Sequence, residues 1–369
     1  MPECLIRLWL VLAFAIAPAW AADNLHVIAV HSYNADYAWT RGQHDGFVAA
    51  LREARPDVTV NVEYLNTKQR QPDPEYLARY ADFMRQKYAG VPPDAFYVTD
   101  DDALVFALDD LLHTFPGTPI FFSGVNDPDM LERIKGLPVT GVLQNMDVAN
   151  NLKLIAALRN NHRHVLVVGD GSATFAAMVR DIDQAIRTTP GWEVTYLVSS
   201  DLDVLAARLA EQPDTPVLLT TVGGVRDVSG QVMNSSRTLS RLSQATRAPV
   251  ISMQDVQVVP GVLGGKVTSA DAQGREAAGL LIAWSRGTAL GDMPPVRSSP
   301  NEWLINETEL HRSGVVLPDM VVTKARYVYL LPSFFERHRE TVLMGIVLMS
   351  GALMFGVLFL MIGVGKNVE

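Results

Sequence analysis

The chain has 369 residues, 48% of them apolar and 19% charged, with one Cys and a formal net charge of −9. The apolar fraction excludes a disordered or low-complexity protein, and the lone Cys excludes a disulfide scaffold or a multi-cysteine metal site. With 31 basic against 40 acidic residues and no lysine-rich block, the electrostatic footprint of a nucleic-acid binder is missing, so small molecules or proteins are the expected partners.

The chain opens with an export signal over residues 1–21. Arg7 precedes an apolar run from Leu8 to Ala17, and Ala19-Trp20-Ala21 supplies the small residues a signal peptidase needs before Ala22. Cys4 lies ahead of the apolar run, so the mature chain is expected to have no thiol. Short β-branched runs then alternate with amphipathic stretches. The predicted strands are Leu25–His31, Val58–Tyr64, Ala95–Thr99, Pro119–Phe122, Val139–Leu143, Val165–Gly169, Glu193–Leu197, Val217–Thr221 and Pro249–Ser252. Among the helices between them, Leu77, Ala81, Met84 and Tyr88 share one face, as do Ala277, Leu280, Leu281 and Trp284. Strands alternating with helices predict an α/β fold with parallel sheets covered on both faces. So many strands exceed one compact sheet and divide more simply into two lobes, with the break near Asn145–Asn150.

The chain ends on Thr341–Gly365, which contains no charged residue. At 1.5 Å per residue such a helix reaches about 37 Å, enough to cross a ~30 Å hydrocarbon core. A transmembrane helix is expected there, followed by a short cytoplasmic tail at 366–369, with the main domain in the periplasm and the anchor in the inner membrane. Arg337 and Arg339 before the span and Lys366 after it oppose the positive-inside expectation; the signal sequence decides the orientation. Ala352 and Gly356 form a small-xxx-small pair that would let two helices approach as a homodimer.

In parallel sheets ligands sit beyond the carboxyl ends of the strands. Those positions here are polar and aromatic: His31–Thr40, Asp100–Ala103, Ser123–Asp127, Gln144–Asn145, Gly169–Phe175, Thr220–Thr221 and Met253–Asp255. Aromatic walls with several hydrogen-bonding groups describe a small-molecule cleft. One aspartate of Asp100–Asp102 is expected to cap the helix that follows, and another to meet a ligand ammonium or hydrogen-bond in the cleft. His31, at the end of an apolar strand, reads as structural or as a ligand contact.

Enzyme signatures fail. Gly169-Asp170-Gly171-Ser172-Ala173 has Asp170 where a nucleophile elbow needs Gly, and it lacks the third glycine of a dinucleotide fingerprint. Gly264-Gly265-Lys266-Val267 is not a P-loop, because Pro260 and Val267 occupy required positions. No metal-ligand spacing appears among the eight His. Neither a catalytic residue, a metal nor a cofactor is predicted.

The ordered series HSYNADYAWTRGQHDGF, TDDDALVFALDDL, FPGTPIFFSGVND, VTGVLQNMDVANNLKLIAAL, VLVVGDGSATF and GVLGGKVTSADAQGREAAGLLIAWSRG resembles the ABC-transporter substrate-binding-like ectodomain of bacterial sensor histidine kinases and diguanylate cyclases. The resemblance implies a type I periplasmic-binding-protein fold. Lobe 1 would comprise 22–145, with 255–295 returning to it. Lobe 2 would comprise 146–254 with about 296–306, and 307–340 would be a juxtamembrane connector to the helix at 341–365. The implied cleft residues are Tyr33, Trp39, Asp101, Asn126, Asp170, Ser172 and Asp255. The implied function is a membrane-anchored sensor whose lobe closure is relayed to a kinase or cyclase module, supplied in trans or missing from this chain. The alternative is a tethered substrate-binding protein serving an ABC permease.

Overall fold

Six consecutive buried residues, His26–His31, make the first strand, β1. Its alternate side chains serve two different cores: Val27 and Ala29 pack with Phe47, Tyr97 and Ala277, while Ile28 and Val30 pack with Met84, Phe96 and Leu104. A strand buried on both faces is what a parallel sheet under helices requires. The computed structural model describes residues 24–69, 72–159 and 163–365; the expected signal at 1–21 and the tail at 366–369 lie outside them.

Lobe 1 is a five-stranded sheet in the order β2-β1-β3-β4-β5, with β2 at Thr59–Tyr64, β3 at Ala95–Thr99, β4 at Ile120–Val125 and β5 at Val139–Leu143. Every pairing is parallel. Helix α1 (Ala38–Ala54) follows β1, α2 (Pro74–Lys87) follows β2, and α3 (Asp100–Phe106) follows β3 directly. The predicted face of α2 is inward: Ala81 and Met84 are buried.

Lobe 2 is a seven-stranded sheet in the order β12-β11-β10-β9-β8-β6-β7. Its strands are β6 (His164–Gly169), β7 (Glu193–Val198), β8 (Val217–Leu219), β9 (Val250–Ser252), β10 (Gly264–Thr268), β11 (Asn301–Asn306) and β12 (Ala325–Val328). Among the described strands of this sheet, β10 and β11 pair antiparallel and the others in parallel. Val165 and Val167 face one core; Leu166 and Val168 face another. Helix α4 (Val148–Leu158) enters this lobe, α5 (Ala173–Thr188) follows β6, α6 (Leu202–Glu211) follows β7 and α7 (Ser235–Gln244) follows β8. The buried Asn151 amide brackets Lys266 through its N–H at 2.9 Å and its carbonyl at 2.8 Å, holding α4 to β10.

The chain crosses between lobes three times, near 145, 269 and 298. Asn145 staples the crossings together: its Nδ2 donates to the Arg297 carbonyl, and its own carbonyl accepts from Asn301 Nδ2 at 2.9 Å and Thr268 Oγ1 at 3.4 Å. After the second crossing, helix α8 (Ala270–Ser285) lies against α1 and lobe 1, and Val296 bridges to β5 at Val142. The two-lobe α/β fold is therefore present, with two differences in its boundaries. The return to lobe 1 begins at Ala270 rather than at Asp255, because β10 is hydrogen-bonded into the second sheet. Most of the expected connector belongs to lobe 2, because β12 adds in parallel to β11. What remains between β12 and the helix Arg339–Gly365 is residues 329–338, with a capping box of Ser333 and Glu336. That terminal helix is 27 residues long, and no residue of its apolar stretch Arg339–Val357 is buried against protein.

Helices α1 and α8 meet at glycines. A Cβ on Gly46 would stand 2.2 Å from the Asp271 carbonyl oxygen, and one on Gly274 would stand 2.0 Å from the Gln43 carbonyl oxygen. Both obstacles are backbone and cannot rotate away. Gly274→Ala should therefore cost about 1–3 kcal/mol of overpacking in denaturant unfolding. Gly279→Ala, on the same helix with nothing within 4 Å, should be neutral or gain up to about 1 kcal/mol of helix propensity.

Candidate functional site

The loops at the carboxyl ends of β1, β3 and β4 are knotted together by short polar bonds. Ser32 Oγ donates to the Thr99 carbonyl at 2.7 Å and accepts from the Ala103 amide at 2.8 Å. It thereby takes the role expected of an aspartate: Thr99 precedes α3 without a side-chain cap, and Asp100, Asp101 and Asp102 all lie in its first turn, where the helix dipole favours negative charge. The Ser32 carbonyl accepts from the Thr67 amide at 2.9 Å. Thr67 Oγ1 in turn donates to Asp102 Oδ2 at 2.5 Å. This anchors a turn with Asn66 at φ 56°, a left-handed conformation that Asn tolerates, and it sets Lys68 over the post-β1 loop.

There Lys68 Nζ lies 4.4 Å from the ring centres of both Tyr33 and Tyr37. The two rings meet edge to face, 5.3 Å apart at 79°. Burial, then the nearby carboxylates of Asp100 and Asp102, hold the Tyr33 phenol well above its ordinary range. Across the cleft, the Tyr37 hydroxyl lies 3.7 Å from where a Cβ on Gly223 of lobe 2 would stand.

Asp101 ties the third loop in. Its Oδ1 accepts from the amides of Asn126 and Asp127, both at 3.1 Å, and its Oδ2 accepts from Asn126 Nδ2 at 3.4 Å. Asp101 and Asn126 are thus spent on each other. Trp39 is buried, and its Nε1 donates to Asp100 Oδ1 at 2.9 Å, so it braces the site from below and is not a wall. His31 is fully buried, its ring nitrogens 3.0 Å from Thr99 Oγ1 and 3.1 Å from His44 Nδ1. Burial, then the neighbouring His44, lowers its pKa to about 3, which makes it a neutral structural histidine.

On the opposite lobe, Asp170 is fully engaged: Oδ1 accepts from the Ser172 amide at 3.0 Å, and Oδ2 from the Gly224 amide at 2.7 Å and Thr221 Oγ1 at 3.2 Å. It shapes the loops that face Tyr37. Ser172 caps α5, accepting from the Phe175 amide at 3.2 Å. The glycines that imitate a phosphate loop have a packing reason. A Cβ on Gly169 would stand 2.1 Å from the Phe175 ring, and Gly171 has φ +76°.

Asp255 stands apart from the other six predicted residues. Its carboxylate accepts from the amides of Val256 and Ala270 at 2.7 and 2.8 Å. It lines a cavity of about 420 Å³ with Ser269, Asp271, Glu302 and Arg326, at the second crossing. Burial raises its pKa to about 6.

Sequence reading missed Tyr37 and Lys68. Tyr37 was within reach as one more aromatic of the post-β1 loop, whereas Lys68 belongs to an undistinguished turn after β2 that only Ser32 and Asp102 bring to the cleft.

Asp100 is the strained member of the site. It is 2% exposed with φ +66°, and among the described residues its Oδ2 and the nearby Gln43 Oε1 are buried acceptors without a partner. Both side chains crowd Gly124, whose absent Cβ would stand 2.8 Å from Asp100 Oδ1 and 2.2 Å from Gln43 Nε2. Burial raises the Asp100 pKa from 3.8 to about 8, so the neutral acid is the folded form and has a proton to donate. The unfolded chain releases that proton near 3.8, and the fold keeps it until about 8; the native state binds more protons in between, and stability falls as pH rises through that window. Compared with Asp100→Asn by urea unfolding, the wild type should lose stability steadily from pH 4 to pH 8 and no further above it. A pH-independent difference would contradict a buried neutral Asp100.

A protein-family model described as ABC transporter substrate binding protein matches residues 44–329. Among solved structures, the chain is similar to an ABC domain in complex with L-Trp from Streptococcus pneumonia, at 16% identity and TM-score 0.59, covering 83% of this chain and 99% of that one. It is also similar to a conserved domain protein from Vibrio cholerae, at 18% identity and TM-score 0.59, covering 82% and 99%. A third is the ligand-free, open structure of CD0873, a substrate binding protein with adhesive properties from Clostridium difficile, at 15% identity and TM-score 0.62, again covering 82% and 99%. These likenesses carry the fold. Among curated proteins none matches the chain.

Proposed function

The chain belongs to the ABC transporter substrate binding protein family, and from that premise we propose that it is a membrane-tethered, extracytoplasmic binding protein that holds a small organic ligand between its lobes for delivery to an ABC permease. Family membership assigns binding rather than catalysis. The observation that carries the reading is the approach of Tyr37 to Gly223, which sets the Tyr33–Tyr37–Lys68 wall of lobe 1 against the loops that Asp170 organises in lobe 2. A ligand there favours the closed form by the difference in its affinity for the two states. The tether is the apolar helix Arg339–Gly365, preceded by Phe334 and Phe335, both about two-thirds exposed, as aromatic side chains at a membrane interface are.

Gly223→Trp, which fills the closing gap, and Tyr37→Ala should each abolish the thermal stabilisation of the detergent-solubilised full chain by a pool of small metabolites. Retention of that stabilisation by both variants would move the ligand site elsewhere.

A second reading, sensing rather than delivery, draws on the short connection from β12 to the helix. Ten residues, 329–338, with the Ser333–Glu336 capping box among them, leave lobe 2 little slack relative to the helix. Because the sole Cys is Cys4, single cysteines introduced at Ala352 or Gly356 report helix pairing cleanly. Ligand-dependent cross-linking in vesicles would support a relay to a kinase or cyclase module. Cross-linking indifferent to ligand, with transport dependent on a permease, would support delivery.

A further inference from the structure

The cleft contains more acid than base, yet its acids are either engaged in hydrogen bonds or, like Asp100, buried. Asp101 accepts three hydrogen bonds from the Asn126–Asp127 segment, Asp102 takes the Thr67 hydroxyl, and Asp170 accepts three from its own lobe. Asp100 is buried beneath them with the Trp39 indole on it. A ligand ammonium seeking Asp101 or Asp170 would have to break the loop which that carboxylate holds, and Asp100, whose Oδ2 has no partner among the described residues, is only 2% exposed.

Lys68 is in the opposite condition. Its side chain is exposed, and its nitrogen rests on two aromatic faces 4.4 Å away. Among the described residues no carboxylate forms an ion pair with it within 4 Å. Cation–π contact fixes the position of an ammonium without using up its N–H donors on an anion. The acid whose charge Lys68 does feel is Asp100, buried beneath the loop, while Asp101 spends its oxygens on the Asn126–Asp127 segment. A cation held at the mouth of a cleft by two rings, with its donors free, is built to receive a negatively charged group, and the rings beside it offer an apolar surface to the rest of the same ligand.

Resting on the binding-protein reading above, we propose that the ligand is a small organic anion, a carboxylate attached to a planar apolar body, and that Lys68 is the residue that selects it. Recognition then comes from one charge-assisted hydrogen bond and from Tyr33 and Tyr37, with the aspartates acting as positioning residues. This reverses the expectation, drawn from the acid-rich motifs, of a ligand ammonium.

The test uses three probes of nearly equal size, phenylacetate, phenylacetamide and phenethylamine, titrated calorimetrically into the full chain in detergent. Phenylacetate should bind roughly 10- to 100-fold more tightly than its neutral amide, the range of a charge-assisted hydrogen bond. Lys68→Met should erase that preference and Lys68→Arg should keep it. The proposal is overturned if the amide or the amine binds as well as the acid, if Lys68→Met keeps the preference, or if none of the three binds. Binding of the amide or amine that is lost in Tyr37→Ala would sink the anion inference while leaving the cleft intact. Binding unaffected by both Tyr37→Ala and Gly223→Trp would sink the cleft reading as well.

Discussion

The contact on which the rest of this structure depends is the backbone-to-backbone seating of α8 on α1. Gly46 and Gly274 let the two helices approach until the carbonyls of Asp271 and Gln43 stand where side chains would otherwise be. Because α8 is reached from a strand of lobe 2 and packs on lobe 1, this contact clamps the second crossing. The same contact aims two glutamines into the base of the cleft. Gln43 donates to Ser123 Oγ at 3.1 Å, and Gln273 accepts from the Gly124 amide at 3.1 Å while donating to the Leu143 carbonyl at 3.2 Å. The end of β4, the end of β5 and the start of α3 are thus indexed to one helix pair.

On that base the cleft is assembled by polar side chains that consume one another. Buried acceptors and donors are costly unless paired, and here the pairing joins loops that follow different strands: Ser32 with Thr99 and Ala103, Thr67 with Asp102, Asp101 with Asn126, Asp170 with Gly224. The strain of a left-handed Asp100 is tolerated within this network, where the Trp39 indole satisfies one oxygen. Pre-organised loops lose less freedom when a ligand arrives, which suits a protein whose function is binding. Tyr37 reaches toward Gly223 of lobe 2, with Tyr33 and Lys68 packed beside it.

Much of the frame was legible in the sequence. All nine predicted strands are present: seven are buried, largely apolar runs, which stand out, and the half-buried edge strands β2 and β7 show through their β-branched and aromatic residues. The strands that were not read, β10, β11 and β12, lack that signal. Gly264–Thr268 carries two glycines and a lysine, and Gly264 at φ +102° lies against the Leu304 carbonyl, so a pairing strand looks like a loop. Ala325–Val328 is an only half-buried edge. The predicted site residues divide. Tyr33 packs against Tyr37 and Lys68; Trp39, Asp101, Asn126 and Asp170 hold the loops around it; Ser172 caps a helix; and Asp255 belongs to the crossing region.

Composition and periodicity determined the α/β class, the two-lobe division and the apolar helix at the end of the chain, because burial and helix length leave regular marks along a single chain. The tertiary structure decided where the chain returns between lobes, which aspartates are already hydrogen-bonded, and that Lys68 stands over Tyr33 and Tyr37. Those outcomes depend on which loops meet in space and on whose donors satisfy whose acceptors. A list of residue types at the ends of strands cannot contain that pairing, since the same aspartate reads alike whether it awaits a ligand or already holds a neighbouring loop.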